Sequence, residues 1–224
     1  MKGLFAVPLA FAFSAVVFAG SSAVHRLDEK AGLTPVGVTI ESVVFKGKKA
    51  LRVVERAEEL RASDALVVVN DLTFRDGKIE LDVAGEPAPG SAEGARGFVG
   101  VAFRTRKDAS AYEVIYIRPT NGRADDQVRR NHATQYASHP DYPWHRLRKE
   151  EPEKYESYAD MQPATWTHLK VVVKGTTARL YLDGAEQPCL IVNDLKLGSD
   201  GGGIALWAGA GSLAHFSDLK VTAE

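Results

Sequence analysis

The feature that most constrains this chain is a succession of short runs rich in Val, Ile, Phe and Tyr, each closed by a turn signal. They cover 38–45, 51–55, 65–69, 78–83, 98–104, 112–118, 168–174, 178–182, 190–192, 204–208 and 214–221. Asp76-Gly77, Lys174-Gly175, Asp183-Gly184 and the glycines of 198–203 punctuate them. The 198–203 stretch is read as a turn, because no helix and no Gly-Lys-Ser/Thr follows to cradle a phosphate. Helical patterns are confined to 55–62 and 147–158. Eleven short strands without an internal repeat predict an all-β, two-sheet antiparallel sandwich. Hydrophobic residues make up 45% and charged residues 25%, which excludes a disordered chain. The single cysteine, Cys189, excludes a disulfide framework and a thiolate metal cluster, and reads as a buried free thiol.

The first segment reads as an address. Lys2 precedes an apolar run too short to span a bilayer, closed by Val17-Phe18-Ala19. This predicts a signal peptide over 1–19, a linker over 20–35 and one domain over 36–224. The protein is then secreted or periplasmic, with no membrane association after signal cleavage. A formal charge of −1 argues against nucleic acid as a partner.

Alternate side chains of a strand face opposite ways. In 98–104 one face holds Val99, Val101 and Phe103, and the other Gly100, Ala102 and Arg104. In 203–209 the bulky face is Ile204, Leu206 and Ala208, opposite small residues around Trp207. In 112–118 the core side takes Ile115 and Ile117, leaving Tyr116 and Arg118 on the other. Small residues beside Arg104, Tyr116, Arg118 and Trp207 leave room for a flat ligand. Sugar rings bind in this manner, their C–H faces on aromatic rings and their hydroxyls on polar side chains.

No strand pattern is evident between Arg118 and Trp166. The segment is nevertheless rich in His132, His139, His145, Tyr136, Tyr142, Tyr155, Tyr158 and Trp144, and is stiffened by prolines. It reads as one long ordered loop that roofs the polar face. Asn121, Gln135, Tyr136, Trp144 and His145 are its candidate ligand-binding residues. The three histidines lack the spacing of a zinc site, so no metal or other cofactor is expected. Asp125-Asp126 is a candidate surface Ca²⁺ contact. The mixed-charge run 146–156 reads as a solvated face.

The segments Gly97-Phe98-Val99-Gly100-Val101-Ala102-Phe103-Arg104 and Tyr112-Glu113-Val114-Ile115-Tyr116-Ile117-Arg118-Pro119 resemble the concanavalin A-like lectin/glucanase superfamily. The closer likeness is to its laminin G-like and 3-keto-disaccharide hydrolase-type branch. Gly77–Val83, Trp166–Val173, the Leu180-Tyr181-Leu182-Asp183-Gly184 hairpin and Phe216–Val221 extend the likeness over roughly 36–223. The resemblance implies a jelly-roll of two curved sheets with ligands on the concave face, and sets Arg104 and Glu113 near that face. Strand parity disagrees over Glu113, which shares a side with Ile115 and Ile117. Glu80, Asp82 and Glu86 come near the carboxylate strand motif of related glycoside hydrolases, with one residue too many. The leading expectation is a carbohydrate-binding domain. The alternatives are a glycoside-cleaving hydrolase or lyase with Glu113 or His132 as acid or base, and a secreted structural or adhesion module.

Overall fold

The computed structural model describes residues 22–56 and 65–224. The expected signal peptide and most of the expected 55–62 helix lie outside the described residues. In chain order the strands begin with β1 (Ser22–His25), β2 (Leu33–Val36), β3 (Val38–Phe45), β4 (Lys48–Glu55) and β5 (Leu66–Phe74). There follow β6 (Gly77–Pro87), β7 (Val99–Thr105), β8 (Tyr112–Ile117), helix α1 (Gln127–Asn131), β9 (Thr134–His139), helix α2 (Trp144–Glu150) and β10 (Glu156–Ser157). The chain closes with β11 (Thr167–Lys174), β12 (Thr177–Leu182), β13 (Leu190–Val192), β14 (Gly202–Ala208) and β15 (Ser212–Ala223).

Two antiparallel sheets result. One runs β13-β12-β11-β6-β15-β4-β3, with β1 added along β15, and the other runs β10-β9-β8-β7-β14-β5-β2. Between them lies a core built from one face of each sheet. The eight-stranded sheet contributes Ile79, Leu81, Leu169, Val171 and Phe216, and the seven-stranded sheet Val99, Val101, Ile115, Ile204 and Leu206. This is the all-β two-sheet sandwich expected from the strand pattern, and the jelly-roll that the resemblance implies.

The outer faces of the two sheets differ, and the difference locates the site. On the eight-stranded sheet, burial alternates along β11. Its outer face presents Glu80, Lys170, Arg179 and Tyr181 to solvent, the usual pattern for a sheet with one wet face. On the seven-stranded sheet, every residue of β7 and β8 is buried. Its outer face is therefore covered, and Pro143, Trp144 and His145 of the chain between β8 and β11 supply part of the cover.

Two expectations change here. The 20–35 stretch does not behave as a linker where it is described, since Ser22–His25 pairs with the end of β15 and Leu33–Val36 with β5. Edge strands need only one bonded neighbour and little apolar burial, so their sequence carries a weak strand signal. The long segment is also more than a loop. It contains α1, α2, β9 paired along the whole of β8, and β10. Thr134–His139 is polar on both faces, and its burial is made tolerable by hydrogen bonds rather than by apolar packing. Within the run read as a solvated face, Leu147 and Glu156 are in fact buried. Cys189 is a half-buried free thiol whose Sγ faces the Leu180 carbonyl.

Candidate functional site

The outer face of the seven-stranded sheet is organised around Gly100. Its register partners are Tyr116 on β8 and Trp207 on β14. A Cβ at position 100 would stand 2.2 Å from the Ile115 carbonyl oxygen and 2.6 Å from Tyr116 Cβ. With only hydrogen there, the two rings meet across β7, their centroids 4.5 Å apart and their planes tilted by 31°. Phe98 stands edge-on to Tyr116 at 6.2 Å. From the cover, Trp144 and His145 at the start of α2 complete a cavity of about 310 Å³ above Tyr116 and Trp207. Trp144 is 43% exposed, while the Nε1 of Trp207 is buried without a partner among the described residues.

Beside this aromatic end lies a buried polar network centred on Arg118. Its guanidinium donates to the His132 carbonyl at 2.9 Å, Glu156 Oε1 at 3.0 Å, Tyr116 Oη at 3.1 Å and Gln135 Oε1 at 2.9 Å. Its Cζ sits 5.1 Å from the Tyr116 ring centre, so the cation also packs on the aromatic shelf. Glu156 in turn accepts from Arg148 Nε at 2.8 Å, and His132 Nε2 lies 3.7 Å away. Burial opposes ionisation of Glu156. Hydrogen bonds from Arg148 and the charges of Arg118, Arg148 and His132 outweigh it and hold the carboxyl below its ordinary range. For His132 burial dominates, and with the nearby arginines it outweighs Glu156, so the imidazole is held below its ordinary pKa and is neutral at pH 7. A second cavity, of about 250 Å³, opens over this network. Arg96, Arg118, Arg129, Arg148, Asn121 and His132 line it, and Phe98 and Trp144 are common to both cavities.

Of the four side chains that strand parity placed on one face, Tyr116, Arg118 and Trp207 come together there. Arg104 does not. It is the extra residue of a β-bulge, since Phe103 pairs with Ile204 and Thr105 with Gly203, and it takes a φ of +52°. Gly202 makes room for the bulge, as a Cβ there would lie 2.5 Å from the Arg104 carbonyl carbon. The turned side chain donates to the carbonyls of Arg75, Gly175 and Gly198 and to Asp76, pinning the ends of the two sheets together.

Glu113 and Tyr136 also lie away from the groove. Both sit on the inter-sheet side of β8 and β9, as alternation requires. Tyr136 Oη donates to Glu113 Oε2 at 2.6 Å, and Glu113 Oε1 accepts from the Leu197 backbone N–H at 2.7 Å. Burial is the main influence on Glu113 and pushes its pKa up. The pair anchors the segment leading into β14, and its position removes Glu113 as an acid or base for a ligand on the outer face. Gln135 lies on the groove side, buried beneath Arg118, while Asn121, Trp144, His145 and His132 line the cavities.

Glu80 and Asp82 occupy the outer side of the other sheet, where Asp82 meets His168 Nδ1 at 2.7 Å and also bonds Lys48. Among the described residues no cluster of three or more His, Cys, Asp or Glu side chains is arranged to hold a metal ion. Asp126 accepts from the Arg129 backbone N–H as the N-cap of α1.

Sequence reasoning missed Arg96, Phe98, Arg129, Arg148 and Glu156. Arg148 and Glu156 were hidden in a run of alternating charge, where no periodicity marks which charges turn inward. The three residues of Arg96-Gly97-Phe98 enter β7 from a loop, where alternation is not yet established.

No protein-family model matches the chain, and no curated protein matches it in sequence. Solved structures do match. The carbohydrate-binding module CBM66 from Bacillus subtilis superposes with a TM-score of 0.59 at 16% identity, covering 85% of this chain and 96% of the module. The Bacillus licheniformis β-glucanase gives 0.53 at 14% identity, over 92% and 100% of the two chains. Domain 4 of AbnA, an extracellular arabinanase from Geobacillus stearothermophilus solved with arabinotriose, gives 0.52 at 13% identity, over 90% and 91%. At such identities the likeness is one of fold, and the fold is the concanavalin A-like jelly-roll.

Proposed function

We propose that this protein is an exported carbohydrate-binding domain whose ligand lies in the groove on the outer face of the seven-stranded sheet. One observation carries the reading. The aromatic shelf of Tyr116, Trp207, Phe98 and Trp144 adjoins a polar cavity lined by Arg118, Asn121, His132 and Arg148, with Trp144 and His145 completing the groove from the chain between β8 and β11. Aromatic faces receive the apolar side of a sugar ring, and fixed donors receive its hydroxyls. The fold supports it too, since structures sharing it include a carbohydrate-binding module and a domain holding arabinotriose. Export rests on the charged, apolar and small-residue order of the first 19 residues.

Calorimetric titration across a glycan panel is the test. At least one oligosaccharide is expected to bind, and Trp144→Ala, at a position 43% exposed, is expected to weaken it by about tenfold or more. Folded protein that gives no heat with any glycan contradicts the proposal.

A glycoside-cleaving activity has one observation in its favour. His132 opens onto the same cavity and burial keeps it in the neutral form a general base requires. Glu156, the carboxylate beside His132, is held by Arg118 and Arg148, so His132 is the candidate base in this reading. Product release by the wild type that persists undiminished in His132→Ala removes this assignment.

A further inference from the structure

The polar end of the groove carries more positive charge than the protein itself balances. Glu156 is fully engaged by Arg118 and Arg148, with His132 nearby. Arg96 and Arg129 line the same cavity, and among the described residues neither is ion-paired. Arg96 Nη1 donates to the backbone carbonyls of Glu93 and Ala95. Arg129 reaches Asn121 Oδ1 at a long 3.5 Å, and its Nε is buried with no hydrogen-bond partner. Glu93 is exposed and Asp126 is engaged as the cap of α1. Burial, followed by the like charge of Arg129 and Arg118, pulls Arg96 below the ordinary guanidinium range, and Glu93 offsets only part of this.

Half-buried guanidinium groups crowded together are costly unless an anion joins them, and their planar forks suit a carboxylate or a sulfate. Resting on the saccharide reading above, we propose that the groove is selective for acidic saccharides. The aromatic end takes a sugar ring, and Arg96 and Arg129 receive the carboxylate of a uronic acid or a sulfate ester. Phe98 and Trp144 line both cavities, so one continuous surface holds ring and acidic group.

The experiment titrates the full chain with three oligosaccharides of equal length: one neutral, one an oligouronate and one sulfated. The better acidic ligand is expected to bind about tenfold or more tightly than the neutral one, with an advantage that shrinks as salt is raised. Which acidic ligand prevails identifies the group recognised. Arg96→Gln and Arg129→Gln are each expected to weaken acidic binding by about tenfold, and by more than they weaken neutral binding, so that the gap between the two ligands narrows. Arg179→Gln, on the outer face of the opposite sheet, is the control and is expected to change nothing.

Equal binding of neutral and acidic ligands overturns the acid preference and leaves the saccharide groove standing. So does acidic binding that is indifferent to Arg96→Gln and Arg129→Gln but sensitive to Trp144→Ala. Absence of binding to all three overturns both.

Discussion

At the scale of single residues, one hydrogen atom on Gly100 decides whether the aromatic shelf exists. A methyl group there meets the Ile115 carbonyl and the Tyr116 side chain at distances no real Cβ contact shows. Gly100→Ala is therefore expected to destabilise the fold by about 1–3 kcal/mol, read as a lower urea midpoint, and to weaken any groove ligand with it. An unchanged midpoint would mean the strands have more freedom than this packing implies.

His215 makes a separate prediction. It is buried on β15, stacked on Phe45 at 3.8 Å, and burial together with the nearby Arg52 charge lowers its pKa from 6.5 to about 4. Between those values the unfolded chain binds a proton that the folded protein does not. Stability is thus complete above about pH 6.5 and falls as the pH drops toward 4, by on the order of 3 kcal/mol for this group. His132, also held neutral by burial, adds with the same sign. His215→Phe, which keeps the stack, is expected to remove the larger part of the slope in urea midpoint between pH 6.5 and 4.5. A slope that persists in full would refute the assignment.

At the scale of elements, what was legible depended on whether a strand keeps its alternation. The middles of β7, β8 and β14 do, so Tyr116, Arg118 and Trp207 were readable as sharing a face, and Glu113 as facing inward against the expectation from resemblance. At the end of β7 a bulge interrupts the count. Arg104 turns into the sandwich end, and no sequence pattern announces it. Because Arg104 supplies donors to three carbonyls and a carboxylate there, Arg104→Ala is expected to cost at least about 2 kcal/mol in a denaturant melt, with glycan affinity of the folded protein unchanged. A stable variant with lost affinity would return Arg104 to the groove. β9 was illegible for another reason. Gln135 and His139 on one side and Thr134, Tyr136 and Ser138 on the other give no apolar period, and the strand is held by polar partners that only the fold brings near. The Glu113–Tyr136 contact shows the consequence. Glu113→Gln is expected to destabilise by about 1–3 kcal/mol while sparing ligand affinity, measured by melts and calorimetry on the same sample.

At the scale of the whole molecule, the two sheets divide the work. The outer side of the eight-stranded sheet is charged along β11 and β12 and paired within itself, as in the Asp82–His168 contact. The outer side of the seven-stranded sheet is roofed, with an aromatic floor at one end and arginines at the other. Sheet class, the existence of a roof and eleven of the fifteen described strands were readable from turn spacing and from the concentration of His and Tyr after Arg118, whereas β1, β2, β9 and β10 were not. The strands inside that roof, and the inward turn of Arg148 and Glu156, follow from tertiary partners that no local pattern encodes. The three tryptophans report on this division directly. Trp144 and Trp207 line the groove, while the Nε1 of Trp166 donates to the Phe45 carbonyl at 3.2 Å on the other side of the molecule. The decisive measurement follows the three indole N–H resonances by NMR as an oligosaccharide ligand is titrated in. The indole signals of Trp144 and Trp207 should shift together with saturation while that of Trp166 stays fixed. Saturable binding that moves Trp166 and leaves the other two in place would put the ligand on the wrong sheet.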